Sequence, residues 1–348
     1  MATIGFHASH EQIGPARLLK DVQLAEQAGF DAAMCSDHLE PWSARQGHSG
    51  FAWSWLGAAL ATTSLRFGVV TAPGQRYHPV VIAHASATLA SMFPGRFWMA
   101  PGSGEFMNEH ITGDGWPAKE ERQLRLEECV RIIRQLHDGD EVTHAGTVTV
   151  HQARLWDIPD IKPPLLVPAL SVATARRAAA WADGIITVNQ EPDTLRELLG
   201  AYRSSGGRGK AILQVHLSWA STEAEAVGIA HEQWRTNVFP AEVSYDLPST
   251  GHFDGISTYV SEEQLRRSAN ISASTSQHVD WLGEYLGIGF DELYLHFVGQ
   301  HQQPFIEAFA ENVLPQVRHE AGSRQQASAE FASPEPVGPE PTSRKAAG

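Results

Sequence analysis

Short apolar runs alternate with amphipathic stretches along the first 318 residues. The run at 4–6 predicts a strand, and after Pro15 the apolar residues Leu18, Leu19 and Val22 recur at helical spacing until Gly29, which is typical of a helix end. The same alternation predicts further strands at 31–35, 65–70, 96–100, 164–169, 184–188, 212–219 and 292–297. It predicts further helices at 51–60, 80–92, 120–137, 173–181, 194–202, 223–234 and 305–317.

This alternation predicts an α/β fold. Strands that alternate with helices form a parallel sheet covered by helices. Eight strand–helix pairs in about 300 residues fit a closed (β/α)8 TIM barrel better than an open doubly wound sheet. Two insertions interrupt the rhythm: 140–163, after strand four, predicts a hairpin with a turn at Gly146, and 235–277, after strand seven, predicts a long irregular segment. We therefore predict one barrel domain over 1–318.

Composition narrows the class of protein. The chain is 42% hydrophobic and 19% charged, which excludes global disorder. No apolar run reaches the ~18–20 residues of a membrane span, and the N-terminus has no signal-peptide pattern. The net charge of −14 argues against nucleic-acid binding. Residues 319–348 are rich in Pro and poor in apolar side chains, so we expect a disordered tail.

The cysteine pattern bears on the compartment. Cys35 and Cys129 provide neither a disulfide framework nor a CxxC metal spacing. A reducing cytoplasm is the simplest compartment for such a chain. We expect no membrane partner and a small-molecule substrate.

Candidate chemistry lies where a barrel carries its active site, at the C-terminal ends of the strands. Polar or titratable side chains follow strands two, three and four: Asp37, His38, Trp42, Thr71, Glu105 and Asn108. An imidazole and a carboxyl group can serve as general acid and base. We predict His38 and Glu105 as a proton-transfer pair, with Trp42 in the same pocket. His38→Asn should lower the reaction rate at least ~10²-fold and leave the melting temperature near that of the wild type.

Each of these features also has a structural explanation. His38 can simply tie strand two to its loop, and Gly102-Ser103-Gly104 is not a dinucleotide-binding fingerprint, because the third glycine and the partner acid are missing. No H-E-x-x-H or Cys/His cluster appears, so we predict no metal site. A metal-dependent barrel hydrolase using His7, His216 and His296 is the alternative enzyme class. A cofactor-free barrel is the third possibility.

Taken together, these segments resemble the luciferase-like flavin monooxygenase superfamily. They are most similar to its branch of dehydrogenases that use the deazaflavin coenzyme F420 to oxidise glucose 6-phosphate. The resemblance covers 3–318 and rests mainly on Ser36-Asp37-His38, Pro41-Trp42, Arg76-Tyr77-His78-Pro79, Gly102-Ser103-Gly104-Glu105, Asn108-Glu109 and Ala182-Asp183-Gly184.

The resemblance implies where a cofactor would sit. It implies a flat ring in the barrel mouth, supported by a non-proline cis peptide in a bulge at Val69-Val70. It places Asp37 and Asn108 in contact with the cofactor, assigns acid–base and intermediate-stabilising roles to His38, Trp42 and Glu105, and implies a homodimer. We expect the phosphate near Leu170-Ser171, where a helix starting close to Val172 offers free N–H groups.

Two departures from that branch shape the predicted activity. Leu170-Ser171 replaces the family's Gly-Gly phosphate cradle, and Gln190-Glu191 stands where relatives carry the basic residue for a sugar phosphate. Glucose 6-phosphate is therefore not the expected substrate, because an acid repels a phosphate. The chain looks most like a divergent side group that uses ordinary flavin. We predict an FMN-dependent oxidoreductase that performs hydride transfer or monooxygenation, with an F420-dependent dehydrogenase of a small alcohol or sugar as the alternative.

Overall fold

The predicted apolar segments form a barrel in the computed structural model, which describes residues 2–322. The strands of this part of the chain are β1 (Thr3–Ala8), β2 (Ala32–Ser36), β3 (Arg66–Thr71), β4 (Phe97–Pro101), β5 (Val142–Ala145), β6 (Thr149–Ala153), β7 (Leu166–Pro168), β8 (Gly184–Val188), β9 (Lys210–Ser218), β10 (Asn270–Ile271) and β11 (Glu292–Phe297). The eight barrel strands are parallel and run in the order β4-β3-β2-β1-β11-β9-β8-β7. The backbone N–H of Met99 donates to Pro164 O at 3.1 Å and brings β4 beside β7, which nearly closes the barrel.

Helices cover the outside of the barrel, and short helices also fill the insertion at 235–277. They are α1 (Pro15–Gln27), α2 (Ala52–Thr62), α3 (Pro79–Met92), α4 (Phe106–Glu109), α5 (Lys119–His137), α6 (Val172–Ala178), α7 (Pro192–Ser204), α8 (Glu223–Trp234), α9 (Ala241–Ser244), α10 (Thr250–Ile256), α11 (Glu262–Ser268), α12 (Thr275–Ile288) and α13 (Gln302–Asn312). No helix of the described residues is long and apolar enough to cross a membrane.

Two apolar layers decide where a site can form. The larger layer packs the helices against the outer faces of the strands. A smaller cluster fills the barrel interior around Met34, Trp98, Ile212 and Tyr294, all of them buried. Because this interior is packed with side chains, a ligand can enter only above it, at the C-terminal ends of the strands.

The barrel and the positions of its insertions are confirmed. The insertion after β4 carries the predicted hairpin, formed by β5 and β6. The prediction that 235–277 is irregular is wrong: this segment holds α9, α10, α11 and β10, and it runs into α12, which was not predicted. Polar caps start these helices, for example a capping box at Ser261 and Gln264, and their apolar residues are too few to give a clear helical period.

The predicted cis peptide at Val69-Val70 is wrong. All peptide bonds of the described residues are trans. β3 continues in regular register through this point, with Val69 opposite Cys35 and Met99, and Val70 opposite Ser36 and Ala100. An unbroken ladder on both sides leaves no bulge there.

The described part of the chain ends in a helical segment at 314–322. The rest of the predicted tail lies outside the described residues.

Candidate active site

Two pockets open side by side at the C-terminal end of the barrel. The first lies over β2, β3 and β4 and is bordered by the start of α5. The second lies over β8, β9 and β11 and is covered by the insertion after α8. Residues that line both pockets form their common wall: His38, Val70, Glu105, Pro168, Leu170, Ala241 and Tyr245. The predicted pair His38 and Glu105 therefore lies where the two pockets meet.

His38 lies between two carboxylates. Its Nδ1 is 2.6 Å from Glu11 Oε1, and its Nε2 is 3.5 Å from Glu105 Oε2. Burial by itself would lower the pKa of His38, but the charges of Glu11 and Glu105 and the contact with Glu11 raise it to about 9. At neutral pH this imidazole is therefore protonated.

The two carboxyl groups respond in opposite directions. Burial would raise the pKa of Glu11, but the charge and contact of His38 lower it below its usual range. The pKa of Glu105 is raised, mainly by burial and also by the charge of Glu11, against the opposing effect of His38. Glu11 therefore keeps His38 protonated, while Glu105 binds protons more readily than an ordinary glutamate.

Trp42 and Asn108 hold the loop that carries His38. The ring of Trp42 meets the His38 ring edge-on, with 5.2 Å between the ring centroids, and meets Phe253 of α10 in the same way at 5.0 Å. Asn108 Oδ1 accepts from the backbone N–H of Leu39 at 2.7 Å, and Asn108 Nδ2 donates to Glu105 Oε2 at 3.2 Å. Asn108 thus aligns His38 with Glu105.

Asp37 forms a buried hub beside the first pocket. Its carboxylate accepts from Trp53 Nε1 at 3.1 Å, from Thr71 Oγ1 at 2.8 Å and from Tyr77 Oη at 3.2 Å. Arg76 Nη2 donates to the Asp37 carbonyl at 2.7 Å. These contacts give Asp37 a structural role at the floor of the pocket. Trp53 serves the same structural role, because its ring nitrogen donates to Asp37.

The predicted cofactor residues fall into two groups. Those that line the first pocket are Asp37, Val70, Thr71, Asn108, Leu170 and Ser171. Val69 and Val172 line neither pocket. Val69 belongs to the outer apolar layer, because successive strand residues face opposite sides, whereas Val70 packs towards the barrel interior. Trp42 lines the second pocket.

The first pocket contains the cations of the site. Arg76, Lys119 and Arg122 line it together with the hydroxyl-bearing residues Ser171 and Thr174. Arg122 donates to Pro117 O at 2.7 Å and covers the Trp116 ring at 4.2 Å, but its Nε is buried without a hydrogen-bond partner. A phosphate-bearing cofactor fits this combination, because it would supply the missing acceptor.

Gly104, which lines the first pocket, has a backbone conformation that side chains rarely allow. At Gly104, φ is +81°, and an added Cβ would lie 2.9 Å from Glu109 Cγ. Glycine is therefore required where the chain passes close to the pocket. Burial raises the pKa of Glu109 to about 7, against the lowering effect of the adjacent Arg76.

Sequence reasoning missed Glu11, Lys119, Arg122 and Tyr245. Glu11 follows β1 closely, so the strand-end rule, if extended beyond the first few residues, points to it. Lys119 and Arg122 begin α5 and read as ordinary helix-surface residues. Tyr245 lies in the insertion whose helices were not predicted. In the part of the chain that the structure describes, no group of three His, Cys, Asp or Glu side chains is placed to hold a metal ion.

Comparison with known proteins identifies the family. A family model described as "Luciferase-like monooxygenase" matches residues 1–292. The chain belongs to the luciferase-like monooxygenase family. This confirms the resemblance seen in the sequence and makes the protein an oxidoreductase.

Two relatives of this luciferase-like protein have names that include the coenzyme F420. An F420-dependent glucose-6-phosphate dehydrogenase of Beutenbergia cavernae is 34% identical over 331 residues, covering 91% of this chain and 98% of the relative. The protein of the same name from Mycobacterium tuberculosis is 30% identical over 329 residues, covering 90% and 98%.

Solved structures agree on the fold. An F420-dependent secondary alcohol dehydrogenase in complex with an F420-acetone adduct superimposes with a TM-score of 0.85 at 28% identity, covering 91% of this chain and 99% of that one. The oxygenating constituent of 3,6-diketocamphane monooxygenase of Pseudomonas putida, solved with FMN, gives 0.69 at 15% identity, covering 91% and 99%. At that identity the second likeness shows the fold alone.

Proposed function

We propose that the protein is a coenzyme F420-dependent dehydrogenase of a small, uncharged alcohol. The observation that carries the proposal is the row Glu11–His38–Glu105, in which Glu11 is buried and His38 and Glu105 lie at the wall between the two pockets. The relatives at 30% identity or more carry F420 in their names, and so does the solved structure at 28%. FMN, the cofactor predicted from the sequence, is the second candidate, because Leu170-Ser171 stands where the resemblance to the F420 branch implies a Gly-Gly phosphate cradle.

The roles of the proton-transfer groups follow from their ionisation. A deazaflavin held in the first pocket would supply the hydride acceptor for oxidation of the carbon that bears the substrate hydroxyl group. Glu105 takes the hydroxyl proton, because His38 is already protonated and Glu105 is the remaining acceptor at the wall. The His38 imidazolium stabilises the negative charge that develops on the substrate oxygen. Glu11 holds the proton on His38.

The same reasoning assigns the first pocket to the cofactor. Lys119 and Arg122, with the hydroxyl groups of Ser171 and Thr174, would hold its phosphate, and Val70 and Thr71 would face its ring. The second pocket then holds the substrate. Trp42, Trp234 and Phe239 in its walls exclude water from the reacting atoms.

A titration of the purified protein with each cofactor tests this proposal. We expect coenzyme F420 to bind at least about tenfold more tightly than FMN, a difference of ~1.4 kcal/mol. Arg122→Met should weaken binding of either cofactor about tenfold or more, because a charge-assisted contact to the phosphate is lost. Arg131→Met, an exposed change on the same helix, is the control. Tighter binding of FMN would return the assignment to the flavin predicted from the sequence.

We expect no useful turnover of glucose 6-phosphate. No Lys or Arg lines the second pocket among the described residues, and Gln190 Nε2 donates to Thr187 Oγ1 at 3.3 Å where relatives were expected to carry a cation. Glu191, whose charge was expected to repel a phosphate, is exposed at the start of α7 and does not line the pocket. The pocket therefore disfavours a sugar phosphate because it offers no cation to bind one. Steady-state assays should give a kcat/KM at least about 100-fold lower than for propan-2-ol. Comparable values would refute an uncharged substrate.

A further inference from the structure

Three buried histidines lie together at the second pocket, and two of them, His216 and His296, line it. The rings of His7 and His296 stack with centroids 4.2 Å apart, and His216 meets His296 edge-on at 5.4 Å. Burial, together with the other histidines, lowers the pKa of His216 to about 3 and that of His296 well below its ordinary value. Both rings are therefore neutral, and each has one donor and one acceptor nitrogen.

Gln12 decides which nitrogen of His296 carries the hydrogen. The amide nitrogen of Gln12 donates to the backbone carbonyl of Val298, so its Oε1 faces the other way as an acceptor. His296 Nε2 lies 2.8 Å from that oxygen and must donate to it. His296 Nδ1 is consequently the acceptor.

Gln214 connects the two rings and is oriented by them. Its amide nitrogen lies 3.2 Å from His296 Nδ1 and 3.1 Å from His216 Nε2. The reverse orientation of this amide would place an oxygen against His296 Nδ1 and require a second proton on that ring, which burial opposes. Both N–H groups of the Gln214 amide thus donate to the two histidine rings. Both hydrogen bonds that the structure shows for this side chain run from its amide nitrogen, and the residue lines the second pocket, so its Oε1 is left to meet a ligand there.

We propose that Gln214 Oε1 accepts a hydrogen bond from a second hydroxyl group of the substrate, so that the enzyme selects uncharged diols or polyols. This inference rests on the proposed function, since the first hydroxyl group must lie at His38 and Glu105. An oriented acceptor discriminates because a substrate that lacks the hydroxyl group leaves the amide oxygen desolvated and unpaired.

The remainder of the pocket agrees with an uncharged, partly apolar molecule. Trp234 and Phe239 stand in its walls, and Ile186 and Val188 line it from β8. The buried carboxylate of Glu11 disfavours an anion in the same space. A diol with a short hydrocarbon backbone satisfies both the walls and the acceptor.

Binding of pentane-2,4-diol and pentan-2-ol to the cofactor-free protein tests the inference. The two probes differ by one hydroxyl group, and their dissociation constants can be measured by ligand-observed NMR. The wild type should bind the diol about tenfold more tightly. Gln214→Met should reduce the ratio to about one, because the acceptor oxygen is gone. Gln303→Met, an exposed change on α13, should keep the wild-type ratio.

The outcomes separate this inference from the proposed function. Equal affinity of the wild type for the two probes overturns the inference, even where Gln214→Met fails to fold. An unchanged ratio in a folded Gln214→Met protein, checked by thermal unfolding, overturns it as well. Failure of the proposed function is read separately, from the cofactor titration and from the absence of turnover of either probe.

Discussion

Replacing Glu105 by Gln is expected to lower turnover of a secondary alcohol by about 10²–10⁴-fold, the usual contribution of a positioned base. The amide has the shape of the carboxyl group and can still accept from Asn108 Nδ2, so the site should keep its geometry. It cannot take up the hydroxyl proton. The loss should therefore appear in kcat and in kcat/KM, with cofactor affinity close to that of the wild type.

The pH profile adds a second test of Glu105. In the wild type, kcat/KM should rise as Glu105 loses its proton and fall again as His38 loses its own, with the upper limit near its pKa of about 9. Glu105→Gln should abolish the rising limb and keep the falling one. Glu197→Gln, an exposed change on α7, should preserve both limbs. Stopped-flow traces of Glu105→Gln that match the wild type would remove this residue from the mechanism.

Replacing His38 by Asn is expected to cost both activity and stability. The change leaves the buried Glu11 without its cation, and breaking a buried ion pair costs about 3–5 kcal/mol of unfolding free energy. The pKa of His38 is raised from 6.5 to about 9, so its contribution is complete below pH 6.5 and is lost as the pH rises through 9. Turnover should fall at least about 100-fold at neutral pH.

Denaturant unfolding at two pH values measures this cost. The stability difference between wild type and His38→Asn should be large at pH 7 and much smaller at pH 10. Glu11→Gln combined with His38→Asn should regain stability, because the unpaired charge is gone, and should remain inactive. A single variant as stable as the wild type at pH 7 would show that Glu11 and His38 do not form the charged pair. The sequence alone predicts an unchanged melting temperature for His38→Asn. The contact between His38 and Glu11 changes that expectation to a lower stability.

The barrel could be predicted because its signals are local. Each strand is a short apolar run, each main helix has an apolar stripe, and the strand-end rule then points to His38 and Glu105. The rest depends on contacts that no local pattern records. Glu11 becomes important only because the chain brings it within 2.6 Å of His38. Tyr245 reaches the pockets only because the insertion folds back over the barrel mouth.

The predicted cis peptide at Val69-Val70 is wrong because it is inferred from the resemblance to relatives and not from the residues themselves. Val69 and Val70 end an apolar strand as predicted, but the continuous pairing of β3 with β2 and β4 leaves no room for an irregular bond. The orientation of the Gln214 amide also lies beyond sequence. It follows from two neutral histidine rings and from Gln12, which is far from Gln214 in the chain.

The common wall of the two pockets ties their binding equilibria together. His38, Val70, Glu105 and Tyr245 face both spaces, so a molecule in either one changes the surroundings met by a molecule in the other. The two binding steps form a closed thermodynamic cycle, and the factor by which a cofactor changes alcohol affinity equals the factor by which the alcohol changes cofactor affinity. Dissociation constants measured one ligand at a time describe two sides of that cycle. The other two sides are the dissociation constants of each ligand measured with the other one bound. The ratio of the two dissociation constants of one ligand, with and without the other, gives the coupling free energy between the pockets.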